Sequence, residues 1–443
     1  MIDLVYLDDF FEKKMIVEIE NIGLLEKTEV QINGLTVIAG INDAGKSTLG
    51  KVVFSVIHGL KSYKREQEEH REEQISSHVD DVFFLLRRLS FDLPNKEYIE
   101  KMFFPPAFNR EIKDSAIKAV KIRIHIVESI GINDRFAKMA IAKLTSLLNI
   151  VSSEVSEKDM MKSSIQRALQ SEFHGQLSSR FTSKHSRIKF KTESSITLVD
   201  ILIHDSVIID IDVKDDLLYS DVTFIDSPVI MQISHLIKGC TSDFISNGLH
   251  STVPLHWKDL NRKLITSKYK FDIIENDHFF GNLIGGQIEY DEDSESFQYG
   301  RVVANHRFDV RAINMASGIK SLSILNLLIS SGQLSTGSFL IIDEPEVNLH
   351  PEWQIEYARV ISTLTSRGVT IVVTTHSPYI VEALKTFDKI DELDARFFVA
   401  SKQNDGISQL LDYTNNVSGL IGTLAAPLNR LHKMHMDRAI DDL

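Results

Sequence analysis

Eight residues constrain this chain more than any other feature. Positions 40–47 read Gly-Ile-Asn-Asp-Ala-Gly-Lys-Ser, a fit to G-x-x-x-x-G-K-[ST] without a mismatch. In 443 residues of this composition such a string arises by chance on the order of one time in a hundred. The run from Leu35 to Ala39 before it reads as a buried strand, and KSTLGKVVFSVIHGL after it has helical spacing. Strand, glycine-bounded loop and helix in that order make a phosphate cradle. The glycines let the backbone curl until successive N–H groups face one anion, and the helix N-terminus adds its partial positive charge. Gly40, Asn42, Asp43, Ala44 and Gly45 are the expected lining. Lys46 is placed to reach β- and γ-phosphates, Ser47 to ligand Mg²⁺ and Thr48 to bond the α-phosphate of ATP.

Three further motifs follow in order. Residues 339–342 are apolar and end in Asp343 and Glu344; carboxylates at the C-terminal end of a buried strand lie where open α/β sheets bind ligands. Asp343 then serves as the Mg²⁺-side acid, and Glu344 as general base or orienter of an attacking water. His376 ends the apolar run 370–375 within TTHSP, a position that suits a γ-phosphate contact. Ser317 and Gly318, in MASGIKS, open the apolar helix SLSILNLLI. Ser317 can act as a helix N-cap, and Ser-Gly at a helix start also makes an anion site.

The remaining pattern is α/β with helical insertions. Residues 1–60 and 187–228 carry β-rich runs: three short strands over 16–39, with Asn33-Gly34 signalling a tight hairpin, and RIKFKT, SITLVDILIH, SVIIDIDV and DVTFID later. Residues 61–186 read as a helical insertion, broken at Pro94, Pro105-Pro106 and Gly131 too often for an extended coiled coil. A smaller helical insertion covers 229–284. Residues 285–400 open with a hairpin-like segment and alternate βαβα, and 401–443 form a tail.

Composition limits partners and compartment. With 49 Lys+Arg against 62 Asp+Glu the net charge is −13, so the molecule as a whole repels polyanions and anionic membrane. Two local basic segments, 113–123 and 184–191, keep nucleic acid open as a partner without favouring it. The lone Cys240 supports neither an intrachain disulfide nor a thiolate metal cluster, and it fits a reducing compartment. No apolar run approaches the ~20 residues of a membrane span, and the N-terminal MIDLVYLDDFFEKK carries acids where a secretion signal needs a basic flank. The expectation is a cytoplasmic protein.

Taken together, the phosphate loop, the Ser-Gly signature, the strand ending in Asp343-Glu344 with EPEVNLHP, and TTHSP resemble the ABC-type ATPases, in the branch of SMC, RecF and the OLD-like (overcoming-lysogenization-defect) ATPases. DEPEVNLHP and THSPYIVEAL resemble bacterial members found in antiphage defence systems such as PARIS and Septu. The resemblance implies an ABC-type head, a mixed sheet with an antiparallel β lobe, carrying the helical subdomains. It also implies head-to-tail dimerisation, with Ser317 and Gly318 of one subunit closing on ATP held by Lys46 of the other. Asn348 and His350 match the family's D-loop. The Q-loop glutamine has no clear counterpart: the strand ending at Asp226 holds its place, and Gln232 lies several residues late. MASGIKS departs from the LSGGQ of transporters. A Toprim nuclease needs about 100 residues, and 67 follow His376. The leading expectation is an ATPase, a homodimer or higher homo-oligomer, regulating a protein effector encoded nearby. The alternative is a RecF/SMC-like DNA-binding repair ATPase. A transporter subunit and an intrinsic nuclease with a metal site in RLHKMHMDR rank below both.

Overall fold

The computed structural model describes residues 14–89, 96–129, 135–178, 185–215, 217, 219–238, 253–267, 284–304, 306–403 and 406–441. Cys240, Lys184, the breaks at Pro94 and Gly131, and much of segment 229–284 lie outside them. So do the side chains from His432 onward, and with them the histidines of the tail. The chain forms two compact units, Met1–Lys61 with Ile165–Leu443, and Ser62–Ser164.

In chain order the elements begin β1 (Met15–Ile22), β2 (Leu25–Ile32), β3 (Leu35–Gly40), α1 (Lys46–Leu89), α2 (Lys96–Phe103), α3 (Pro105–Ser129), α4 (Arg135–Ser152) and α5 (Glu157–Phe173). Then come β4 (Ser186–Thr192), β5 (Thr197–His204), β6 (Val207–Val213), β7 (Val222–Ile225), α6 (Ile230–Lys238), α7 (Leu255–Thr266), β8 (Gln287–Asp291), β9 (Ser296–Val303) and β10 (His306–Arg311). The last stretch is α8 (Ser317–Ser330), β11 (Phe339–Asp343), α9 (Pro351–Ser366), β12 (Thr370–Thr375), α10 (Pro378–Asp391), β13 (Arg396–Lys402), β14 (Ser408–Asp412) and α11 (Val417–Asp441).

Eleven strands make one mixed sheet, in the order β6-β5-β4-β1-β2-β14-β13-β3-β12-β11-β7. The β6-to-β2 side is an antiparallel lobe. The other side, β13-β3-β12-β11-β7, is parallel throughout. Side chains explain the division. β1 alternates buried and half-buried positions, as a one-faced strand does, whereas β3 and β12 are buried at every position, as strands covered on both faces must be. This is the expected α/β class, a mixed sheet with an antiparallel lobe.

Four details depart from the sequence reading. Asn33-Gly34 makes no hairpin: β2 and β3 are separated in the sheet by β14 and β13. The apolar β3 is drawn into the parallel block, and Asn33 Nδ2 instead donates to Asp394 O and Oδ2 at 3.1 and 3.0 Å. The segment 401–443 is no mere tail, because β14 fills the gap between β2 and β13. β10 adds a third strand to the expected hairpin, giving a small antiparallel sheet β10-β9-β8. Finally, α6 and α7 are part of the main core rather than a separate subdomain: Ile230, Met231, Ile237, Leu260 and Leu264 pack in one cluster with β3, β11 and β12.

Within Ser62–Ser164 a second core forms around Val79, Val82, Phe103, Phe108, Val120 and Leu144. Its centre holds a fully buried cation. Arg123 donates to Met102 O through Nε at 3.0 Å and Nη2 at 2.7 Å, and to Glu111 Oε2 at 2.8 Å, with its guanidinium 3.8 Å from the Phe108 ring centroid. In the sheet-bearing unit, α1 meets Ile165 of α5 at Gly59, where a Cβ would stand 2.9 Å from the Ile165 backbone. Only glycine permits that approach.

Candidate active site

β3, β11 and β12 run parallel side by side, so their carboxyl ends open on one edge of the sheet. There β3 enters the glycine-bounded loop, β11 ends at Asp343, and β12 hands over to His376. Gly45 turns the loop with φ +79°, and a Cβ on it would lie 2.9 Å from Leu25 Cδ2. The left-handed conformation favours glycine there, and a Cβ would also have to push the Leu25 tip aside. Asn42 and Asp43 are exposed and Ala44 is buried; Lys402 Nζ donates to Asp43 Oδ2 at 2.6 Å and ties the loop to β13.

Lys46 opens α1 and folds its side chain back under the loop. Nζ donates to Gly40 O at 3.1 Å and Ile41 O at 2.9 Å and lies 3.8 Å from Glu344 Oε1, with the residue only 4% exposed. Ser47 and Thr48 follow in the same first turn, with the Thr48 side chain beside Gly23 of the β1–β2 turn.

Asp343 stands opposite Thr374 in the parallel register, and the Thr374 hydroxyl donates to Asp343 Oδ1. Glu344 leaves the strand in the left-handed region, φ 49°, its N–H donating to Thr374 O at 3.0 Å. For a residue with a Cβ that conformation costs about 1–2 kcal/mol. It brings Oε1 within 3.6 Å of His376 Nδ1. Lys46, Glu344 and His376, from three strand ends, thus share one pocket edge.

Ser317 and Gly318 sit elsewhere. Ser317 is the first helical residue of α8, and the N-cap is Ala316, which supplies no side-chain cap; the capping role expected of Ser317 is not taken up. Its hydroxyl donates to Asn348 O at 3.4 Å, and Gly318 packs where a Cβ would lie 3.1 Å from Leu349 Cδ2. Asn348 has φ 63°, and His350 caps α9. Among the described residues no hydrogen bond or ion pair joins Ser317 or Gly318 to Lys46.

Two groups escaped the sequence reading. The first is Glu346, side chain 4% exposed, whose Oε1 accepts from the Thr375 hydroxyl at 2.7 Å, His376 N at 2.6 Å and Ser377 N at 3.1 Å. The second surrounds Asp226. Ile225 of β7 stands opposite Ile342 of β11, so Asp226 emerges beside Asp343. Trp257 Nε1 donates to both Asp226 oxygens at 2.7 and 2.9 Å. The buried His256 lies between two acids: Nδ1 is 2.6 Å from Glu172 Oε2, and Nε2 is 3.0 Å from Asp226 Oδ2 in an ion-pair contact whose N–H direction falls off the hydrogen-bond line. Phe224 stacks on the imidazole at 4.6 Å. Burial pulls the His256 pKa down, but Asp226 and Glu172 outweigh it and hold it up at about 9. Burial raises Asp226, and the His256 and Trp257 contacts bring it below the usual carboxylate range. Gln232, weighed for this corner, is half-buried in α6. No local pattern marks these partners, because they come from α5, β7 and α7.

Residues 232–382 match the family model described as "AAA domain, putative AbiEii toxin, Type IV TA system". No curated protein matches the chain. Among solved structures, the SMC head domain from Thermotoga maritima is similar with a TM-score of 0.39 at 11% identity, covering 90% of this chain and 98% of that one. The SMC head domain with an extended coiled coil bound to the C-terminal domain of ScpA, from Pyrococcus furiosus, scores 0.34 at 12% identity over 96% and 99%. An ATP-binding cassette of an ABC transporter in its ADP conformation scores 0.33 at 12% identity over 92% and 95%.

Proposed function

We propose that this chain is a Mg²⁺-dependent ATP hydrolase of the ABC type. The observation that carries it is the meeting of Lys46, Glu344 and His376 at the carboxyl edge of β3, β11 and β12, beneath a loop that turns at Gly45. Lys46 supplies a buried ammonium at the start of a helix, where a polyphosphate gains from charge and N–H groups together. Glu344 accepts the proton of the water that attacks the γ-phosphorus, and His376 bonds the γ-phosphate oxygens, so that ATP and water leave as ADP and phosphate.

The donor set fits Mg²⁺. This ion keeps waters and phosphate oxygens and takes one or two protein ligands, and Ser47 with Asp343 offers one hydroxyl and one carboxylate. When bound it would neutralise charge on the β- and γ-phosphates. Among the described residues no cluster of three or more His, Cys, Asp or Glu forms a self-contained metal cage.

The open first turn of α8 supports closure of Ser317 and Gly318 on the ATP of a second copy, since its N–H groups have no side-chain cap. A protein effector is favoured over nucleic acid by the net charge of −13 and because four cations of the two basic segments are engaged within the chain. Arg123 is buried, Lys113 Nζ lies 3.4 Å from Glu72 Oε1, Arg187 makes a two-pronged pair with Asp200, and Lys191 pairs with Glu18. A defence role is in keeping with the toxin–antitoxin wording of the matching family. No helix among the described residues is long and apolar enough to cross a membrane.

The test is enzymatic. Lys46→Ala should abolish ATP binding. Glu344→Gln should keep binding and lose turnover by about 10²-fold or more. Turnover unchanged in Glu344→Gln overturns the assignment.

A further inference from the structure

The Glu346 carboxylate spends one oxygen entirely on a single turn. Oε1 takes the Thr375 hydroxyl, the His376 N–H and the Ser377 N–H, and lies 3.1 Å from His376 Nδ1. The three donors and the ring contact belong to three consecutive residues. The other oxygen, Oε2, is buried and bonds to nothing among the described residues. Among the described residues the carboxylate therefore serves this turn alone. The neighbouring ties point the same way. Ser377 Oγ donates to Gln354 Oε1 at 2.6 Å and accepts from Tyr379 N and Ile380 N, so the start of α10 is pinned on its far side as well. Between these ties stands His376, 44% exposed, with Nδ1 3.6 Å from Glu344 Oε1.

We propose that Glu346 is the positioning residue of this site: its Oε1 fixes the turn from Thr375 to Ser377 through the Thr375 hydroxyl and the His376 and Ser377 N–H groups, lies against Nδ1 of His376, and so sets the angle at which the imidazole meets the phosphate-bearing substrate. The proposal rests on the ATPase reading for the identity of that substrate, and on geometry alone for the orientation of the ring. Among the described residues Nε2 makes no hydrogen bond. Glu346 touches neither substrate nor reacting atoms and acts only through His376.

The experiment has a spectroscopic and a kinetic arm, each on the full chain. With ¹⁵N-histidine labelling, and His376→Gln used to assign the ring, the wild type should show a single ordered ring environment for His376. Glu346→Gln should shift and broaden that signal. Glu346→Asp, one methylene shorter, should restore part of it. In steady-state ATP turnover, Glu346→Gln should lower kcat by roughly 10- to 100-fold at unchanged KM, and the loss should vanish in a His376→Ala background. Equal losses in both backgrounds would make Glu346 a structural brace and overturn the proposal, as would an unchanged His376 spectrum in a folded Glu346→Gln. A wild type that turns over no ATP refutes the ATPase reading, and the ring spectrum then decides Glu346 by itself.

Discussion

Raising the pH should loosen the sheet-bearing unit through one ring. In the folded chain the His256 pKa stands at about 9, against 6.5 for the free side chain. Between those values the folded protein holds a proton that the unfolded chain has released, so stability falls as pH rises. The gap of about 2.5 units, at about 1.4 kcal/mol per unit, amounts to roughly 3 kcal/mol. It is fully present below pH 6.5 and is lost as pH climbs through 9. Both tryptophans, Trp257 and Trp353, lie in this unit, so urea unfolding followed by indole fluorescence reads it selectively. Trp257 is bonded to Asp226 itself. The free energy should decline steadily from about pH 6.5 to 9. His256→Gln should flatten that slope and cost roughly 3–5 kcal/mol at neutral pH, because the buried Glu172 loses the positive charge that faces it and keeps the backbone N–H of position 256. A wild-type free energy that stays level across this window, or an equal slope in His256→Gln, refutes the reasoning.

Two further perturbations test buried charges in the two units. Lys263 Nζ lies 2.7 Å from the buried Asp259 and donates to Val222 O at 2.6 Å; burial raises the Asp259 pKa, and Lys263, His58 and Arg262 overcome this to set it at about 2. Being below the usual 3.8, it contributes stability above that pH that is lost as pH falls through 2. Lys263→Met should lose roughly 3–5 kcal/mol at neutral pH by the same fluorescence assay, and an unchanged midpoint would count against the pair. In the other unit, Arg123→Lys keeps the charge but cannot reproduce the fork on Met102 O and Glu111. Hydrogen exchange of α3 amides should quicken at least tenfold while β12 stays protected; unaltered α3 protection would show that the fork is dispensable.

What the sequence disclosed was local. The loop around Lys46, the acids closing β11 and the His376 turn each reveal themselves within eight residues, because backbone curl, burial and strand termination are short-range properties. Relations across the sheet stayed hidden. Asn33-Gly34 has the chemistry of a hairpin, yet the apolar faces of β3 outweigh it, and the asparagine bonds Asp394 instead. β14 looked like tail because a five-residue strand has weak periodicity; its place is set by β2 and β13. Ser317 was read as a cap, but the helix starts one residue earlier in geometry than in chemistry. Glu346 and the Glu172, His256 and Asp226 set are illegible for one reason: each works on residues about 30 or more positions away.

The position of β3 has a temporal consequence. Both of its neighbours in the sheet, β12 and β13, are encoded more than 300 residues downstream. At a synthesis rate of about 5–20 residues per second, the strand that leads into the glycine-bounded loop waits on the order of 15 to 70 s for partners. Its buried side chains meanwhile have nothing to cover them. Ribosomal order therefore makes the edge around Lys46, Glu344 and His376 one of the last features to exist, and a nascent chain released before β13 emerges carries the loop motif without the sheet that shapes it. Slow loop closure over such a separation also sets the pace of refolding in vitro.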